Sequence, residues 1–331
     1  MLRYLPDRFT VAIILVVILA SFLPAYGQGA QIFEIITNVA VGVLFFMHGA
    51  KLSREAIIAG VTHWRLHLVV FLSTFVLFPV LGLTLKPVLS WLMTPELYVG
   101  ILFLCALPST VQSSIALTAV ARGNVPAAVC SASFSSLIGI FLTPVLVGIF
   151  VVPHGGHISF EAVTKIFLQL LLPFIVGHLM RPLIGKFIDT HKSSLKYIDQ
   201  SSILLVVYTA FSAAVIEGLW KNTPISTLFG VIVATSLLLC IALLITWQTG
   251  KRLGFSKADQ ITILFCGSKK SLATGAPMAK VLFASSAVGA IVLPVMVFHQ
   301  IQLMLCAMIA QHYARRPDED AEKIVKAAAQ P

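Results

Sequence analysis

Two adjacent lysines sit in the stretch Phe265-Cys266-Gly267-Ser268-Lys269-Lys270-Ser271-Leu272-Ala273-Thr274-Gly275, between apolar runs on both sides. An ionised lysine at the centre of a lipid span costs roughly 2.5–3.5 kcal/mol on insertion scales. Lys269 and Lys270 must therefore face a wet cavity or a partner, or snorkel from a shorter helix to an interface. Their setting favours a site on a transport path. Gly267 and Gly275 flank the pair and are expected to supply unusual backbone angles. Half-helix ends exposed there would offer N–H groups to anions and carbonyls to cations. Ser268 and Ser271 add hydroxyls to the same stretch. Neighbouring lysines on a helix point about 100° apart, so one is expected to face the cavity and the other a partner. Proton exchange at such a lysine would couple protons to transport. The sequence Gly267-Ser268-Lys269-Lys270-Ser271 lacks the G-x-x-x-x-G-K-[ST] spacing of a phosphate-binding loop.

A second cluster lies in Leu107-Pro108-Ser109-Thr110-Val111-Gln112-Ser113-Ser114. A proline frees a backbone carbonyl, and hydroxyls and amides then line a polar pocket. Thr110, Gln112, Ser113 and Ser114 are the candidates, set against simple hydroxyl bonds back to their own helix. Ser131, with Ser133, Ser135 and Ser136, is either an extension of this pocket or small-residue helix packing. His48 and His299 are candidate proton relays. For these two and for His178, a hydrogen-bonded packing role is the alternative. Asn38, Tyr208, Thr209 and Ser212 are candidates for a substrate-facing wall. Acids are missing from mid-span positions. Glu34 and Glu217 fall near the outer edge, so the lysines lack a fixed counter-ion and an anionic substrate is a natural partner. Cys105, Cys130, Cys240, Cys266 and Cys306 all fall in apolar segments without metal-like spacing, and read as small core residues.

The elements that carry these groups follow from composition. Of 331 residues, 58% are hydrophobic and 11% charged, less than half the charge of a soluble domain. This is a polytopic membrane protein. Its +10 net charge reflects basic cytoplasmic loops, with no nucleic-acid partner implied. Ten apolar spans are predicted, at 8–25, 31–50, 66–85, 97–121, 125–152, 162–180, 198–218, 226–249, 259–283 and 285–312. The fourth and ninth, which hold the two polar clusters, are expected to break in mid-membrane. Arg3, Arg8, the apolar run 11–19 and Ala20-Ser21-Phe22 imitate a signal peptide, but the many later spans favour a retained first helix. With both termini cytoplasmic, seventeen of the 23 lysines and arginines fall in inside loops and four in outside loops, the other two being Lys269 and Lys270. That asymmetry fixes the predicted orientation in a bacterial inner membrane. Residues from Pro317 onward read as a charged, alanine-rich cytoplasmic extension.

The chain also repeats. Gly139 to Val147 and Gly289 to Val297 share G-x-x-x-x-P-V-x-V, each directly after a polar-interrupted span. Two repeats of five spans have opposite topology, a pattern that points to a secondary-transporter site near the midplane.

These residues resemble the bile acid:sodium symporter superfamily over essentially the whole chain. The likeness is to its YfeH-type bacterial branch, itself similar to the seventh member of human solute carrier family 10. The segments that carry it are Leu44 to Ser53, Arg122-Gly123-Asn124, Phe265 to Ala273 and Phe298 to Leu303. The resemblance implies an all-α fold of ten transmembrane helices in two inverted five-helix repeats, at 1–152 and 153–314, with a tail at 315–331. A panel subdomain would hold the first, second, sixth and seventh helices, and a core the rest. The discontinuous fourth and ninth helices would cross at the midplane. Sodium-coupled members bind two sodium ions beside that crossing, with substrate between core and panel. Their Ser-Asn pair falls here on Ser113 and Ser114, and their liganding Glu and Gln fall on Phe265 and Lys269. A cation site does not tolerate a lysine at its centre after losing its carboxylate. Two-sodium coupling is therefore not expected, and a lysine ammonium should take the vacated position.

The resulting expectation is a secondary transporter of a small organic anion, working by alternating access and coupled to protons or uncoupled. Membrane lipid is its other partner, no metal or cofactor is implied, and monomer and homodimer both stay open. The alternatives are a sodium-coupled organic anion symporter and a regulator of ion entry that keeps a transporter fold. An intramembrane enzyme fits poorly, because no base–nucleophile pair is visible.

Overall fold

The computed structural model describes residues 8–51, 63–150, 167–222 and 224–316. Arg3, Leu52, Ser53, Arg54, Lys165, Lys323, Lys326 and the tail from Pro317 lie outside these residues. A chain in lipid must satisfy its backbone polar groups internally, and helices do so within one segment. All regular structure among the described residues is helical. In chain order it comprises α1 (Arg8–Phe22), α2 (Gln28–Lys51), α3 (Trp64–Thr84), α4 (Lys86–Leu92), α5 (Pro95–Ala106), α6 (Gln112–Val120), α7 (Val125–Phe150), α8 (Leu168–Thr190), α9 (Lys192–Ile216), α10 (Leu219–Asn222), α11 (Ile225–Arg252), α12 (Lys257–Gly267), α13 (Leu272–Leu282) and α14 (Ser285–Ala314).

Seven of the described helices are long and apolar enough to cross a membrane: α2, α3, α7, α8, α9, α11 and α14. Leu15, Val39, Leu179, Leu183 and Phe229 project outward from them and from α1, as a surface solvated by acyl chains requires. The protein is a multi-pass membrane protein. Helices α8 and α9 reach further than the expected spans, α8 to Thr190 and α9 back to Lys192. The short helices α4 and α10 were not expected at all. Cys240 is exposed on α11, which corrects the expectation that all five cysteines are core residues.

Helices α1 and α8 gather around α2 and α9. A Cβ on Gly49 would strike the Phe174 carbonyl, and one on Gly177 the Phe46 carbonyl. These two glycines thus let the backbones of α2 and α8 touch, as small residues do between membrane helices. The remaining long helices pack around α5, α6, α12 and α13, and α9 leans on α13 and α14 from the first group.

Two connections position the candidate residues. Helix α5 ends at Ala106, where Leu107 turns extended (φ −71°, ψ 153°), because a residue preceding proline is driven out of the helical region. The chain resumes helix at Gln112. Helix α12 ends at Gly267 and α13 starts at Leu272. Ser271 caps α13, its hydroxyl accepting from the Thr274 amide at 3.2 Å, as N-cap residues do. The two interruptions touch: the Ser271 amide donates to the Pro108 carbonyl at 2.9 Å.

Candidate functional site

The interruption between α5 and α6 exposes carbonyls, and Lys270 fills them. Its ammonium donates to Cys105 O at 2.8 Å, Leu107 O at 2.7 Å and Thr74 O at 2.7 Å. Cys105 and Leu107 end α5, where orphan carbonyls and the helix dipole favour a cation. Thr74 lies in α3, in a π-helical turn over Ser73–Leu77. In that turn the Phe78 amide donates to Ser73 O, and Pro79 has no amide to offer Thr74 O. The wider turn leaves Thr74 O free to point inward. The Phe78 ring closes the cage, with its centroid 4.3 Å from Nζ. All three ammonium protons of Lys270 are thus used, and its side chain is fully buried.

Lys269 leaves the same non-helical stretch in another direction. It also is fully buried. Its ammonium donates to Ser113 Oγ at 3.1 Å and lies 5.9 Å from the Phe265 ring centroid. Ser113 Oγ donates to Thr110 Oγ1 at 2.9 Å, and Thr110 Oγ1 meets Ser114 Oγ at 2.9 Å. Ser114 Oγ then donates to Phe265 O at 3.2 Å. A short hydroxyl chain thereby links the first turn of α6 to the end of α12. Ser109 reinforces it, donating to Cys266 O at 2.6 Å while its amide donates to Ser135 Oγ at 3.0 Å.

Gln302 of α14 holds the lysine stretch itself. Its Oε1 accepts from the Lys270 amide at 2.9 Å and its Nε2 donates to the Lys270 carbonyl at 2.8 Å. Nε2 also lies 2.9 Å from His299 Nδ1. One amide side chain therefore does what a neighbouring backbone would do in a sheet. Gln302 stands in the quoted segment Phe298 to Leu303, but had no role assigned. A glutamine in an apolar run that forms a thirty-residue helix is the sequence signal for it, and the structure buries it fully. The carbonyls of Thr74 and Cys105 carry no sequence signal, because every residue has one.

The structure brings Thr110, Ser113, Ser114, Lys269, Lys270 and Ser271 to one cluster, together with Phe265. It separates the others. Gln112 is exposed at the start of α6, and the bonds of both lysines go elsewhere. Ser268 bonds back to Leu264 O of its own helix at 2.5 Å. Ser131 pairs with His67 Nδ1 at 2.7 Å, one turn along α7 from Ser135. His48 Nδ1 donates to Leu44 O, 2.7 Å away on its own helix α2. Thr209 bonds back to its own helix and the Tyr208 hydroxyl donates to Leu23 O.

Two expectations require correction. Gly267 and Gly275 do not supply unusual backbone angles, since positive φ among described glycines occurs at Gly27, Gly218 and Gly254. Both are needed for space instead. A Cβ on Gly275 would strike the Leu107 side chain, and one on Gly267 would crowd Ser73 and Thr246. Nor do the lysines diverge by the 100° of adjacent helical positions, because the stretch from 269 to 271 is not helical. The non-helical chain sends Lys270 toward α3 and α5 and Lys269 toward α6.

A cavity of about 340 Å³ opens between the two helix groups. Glu34, Thr209, Ser212, Glu217, Lys280 and Tyr26 line it. Lys280 Nζ of α13 pairs with Glu34 Oε1 of α2 at 3.1 Å. Ser212 Oγ is buried without a hydrogen-bond partner among the described residues. Asn38 is not among the lining residues. Neither lysine of the cluster reaches this cavity, so the pair is sealed in this conformation.

Known proteins match along nearly the full chain. A Pseudomonas aeruginosa protein, "Uncharacterized protein PA2026", is 63% identical over 98% of both chains. "Putative symporter YfeH" of Escherichia coli (strain K12) is 56% identical over 95% of this chain and 94% of its own. "Sodium/bile acid cotransporter 7-B" of Xenopus laevis is 31% identical over 93% and 91%. The model of the SBF-like CPA transporter family matches residues 7–315. A buried lysine cluster between interrupted helices, a bilayer-facing surface and these relatives agree: the chain is a membrane transporter of the bile acid:sodium symporter type and belongs to the SBF-like CPA transporter family.

Proposed function

We propose that the protein is a secondary transporter of a small organic anion that works by alternating access, without the two-sodium coupling of typical sodium-dependent relatives. The observation that carries this reading is the division of labour between the lysines. Lys270 occupies a cage of three carbonyls, the donor set a sodium ion would need. An ammonium fixed there leaves no vacancy for the ion. Lys269 has one hydrogen bond among the described residues, to Ser113 in the first turn of α6. The amides of that turn favour negative charge, as does the ammonium. A carboxylate or similar anion reaching Lys269 would meet both, and proton exchange at Lys269 is the coupling step that fits.

The packing supports ten transmembrane helices. The seven long helices are joined by α1 and by the discontinuous pairs α5–α6 and α12–α13. Helix α14 packs on α5, and α7 packs on α12. Each proline-bearing helix thus braces the first half-helix of the other repeat, as inverted repeats at 1–152 and 153–314 require. Helices α1, α2, α8 and α9 correspond to a panel, and the 340 Å³ cavity lies between it and the core. The charge asymmetry supports cytoplasmic termini in a bacterial inner membrane.

The test is uptake of organic anions into proteoliposomes with sodium exchanged for potassium, across a pH series. Uptake is expected to persist without sodium and to be lost in Lys269→Ala. Strict sodium dependence, or unaltered uptake in Lys269→Ala, overturns the reading.

A further inference from the structure

A second recess lies far from the lysine cluster, where α11 ends, α12 begins and α14 runs out of the membrane. Its volume is about 510 Å³, and Trp247, Lys257, Leu305, Met308, Ile309, His312 and Tyr313 line it. The recess is graded along its length. Leu305, Met308 and Ile309 form an apolar floor, and the exposed side chains of Met304 and Met308 continue it along the outer face of α14. Aromatic and basic groups surround the other end. Lys257 Nζ sits 5.1 Å from the Tyr313 ring centroid, and Lys251 Nζ 5.6 Å from that of Trp247. The His312 and Tyr313 rings stand edge to face at 6.1 Å.

Among the described residues, charge at this end is one-sided. Arg252 and Arg315 are exposed nearby in sequence on the same helix ends. Arg65 donates to Leu253 O and Arg316 to Arg122 O, so these cations gather at one end of the molecule. Among the described residues neither Lys251 nor Lys257 is ion-paired. The local acid, Asp259, is occupied by Asn124 Nδ2 at 2.8 Å and Ser256 Oγ at 2.8 Å. Two unpaired ammonium groups propped on aromatic rings above an apolar trough suit one occupant: a phosphate with acyl chains attached. Basic recesses between membrane helices at the headgroup level hold anionic lipids, and Trp and Tyr mark that level.

We propose that this recess binds an anionic phospholipid, its phosphate between Lys251 and Lys257 and an acyl chain along Leu305, Met308 and Met304. The location gives the lipid leverage. Lys257 opens α12, the half-helix that ends at the lysine stretch. The floor residues belong to α14, which carries Gln302. A bound lipid would brace the two helices that hold the cluster in register.

The test uses the full chain in nanodiscs, with quenching of tryptophan fluorescence by brominated phosphatidylglycerol and brominated phosphatidylcholine. Trp247→Phe identifies the part of the signal from this site. Wild-type protein is expected to prefer the phosphatidylglycerol by about tenfold, as two lysine–phosphate contacts allow. The double variant Lys251→Ala, Lys257→Ala is expected to lose that preference. A control double variant at exposed lysines elsewhere, Lys186→Ala with Lys196→Ala, is expected to keep it. Equal quenching by both lipids in wild type overturns the proposal. So does retained preference in the first double variant, an equal loss in the control, or full displacement by millimolar inorganic phosphate, which would mean a phosphate site without a chain.

Discussion

Replacing Lys270 by alanine strips the donors from three buried carbonyls at once. Leaving buried acceptors without their donor costs about 1–3 kcal/mol each. Lys270→Ala should therefore lower the unfolding midpoint in detergent by several degrees in a thermal melt. The emptied cage of Thr74, Cys105 and Leu107 oxygens should then accept a small cation. Sodium chloride is expected to raise the melting temperature of Lys270→Ala above its value in choline chloride, whereas wild type shows no such difference. Lys269→Ala should behave in the opposite way. It forfeits one hydrogen bond to a hydroxyl, so stability falls less. Proteoliposome uptake should drop at least about tenfold, the equivalent of one charge-assisted bond to the transported anion. A Lys270→Ala protein with unchanged stability, or a sodium effect in wild type, would refute the ammonium's role as a substitute cation. The sequence shows two costly lysines in a stretch where the resemblance calls for small oxygen ligands, and from these comes the expectation that two sodium ions are not bound. It does not show which lysine is caged. That choice is made by carbonyls of α3 and α5, and backbone atoms leave no mark in residue type.

At the scale of elements, the interruptions depend on groups that the local sequence only half reveals. Pro108 predicts the end of α5, because its steric demand is local. The second interruption has no proline at residues 268–271 and is held open from outside, by Gln302 of α14. Gln302→Leu keeps the volume and removes both bonds to the Lys270 peptide. Leaving a buried amide and carbonyl unpaired costs about 1–3 kcal/mol each, so the melting temperature should fall and uptake with it. Gln302→Glu retains the acceptor for the Lys270 amide but cannot donate to the Lys270 carbonyl when ionised. It is expected to be at least as damaging as Gln302→Leu. Uptake at wild-type level in both variants would mean that the stretch holds its shape unaided. The glycines teach the complementary lesson. Gly267 and Gly275 look like hinges because they bracket the lysines. They are instead contact points, where Leu107, Ser73 and Thr246 press against the backbone. Sequence identifies a residue without a side chain but not whether the need is for torsional freedom or for room.

At the scale of the whole molecule, the described helices form two groups, with the 340 Å³ cavity between them bridged by Lys280 and Glu34. This ion pair joins α13, which follows the lysine stretch, to α2 on the opposite wall. In the proposed alternating-access cycle one group moves against the other, so the distance from residue 34 to residue 280 must change. Glu34 is half exposed, and such a pair contributes only about 0–1 kcal/mol. It can bias the open and closed populations by a few-fold but cannot lock them. A covalent link can. In a Cys240→Ser background, the double variant Glu34→Cys, Lys280→Cys should cross-link under mild oxidant, because the remaining native cysteines are buried. Uptake should then fall at least about tenfold and return with reductant, since a disulfide holds its Cα atoms within about 7 Å. Each single variant should transport at near wild-type rates under the same oxidant, because removing a weak ion pair alters populations and not the path. A cross-linked protein that still transports would mean that the two groups do not separate at this cavity, and that the route to Lys269 opens elsewhere.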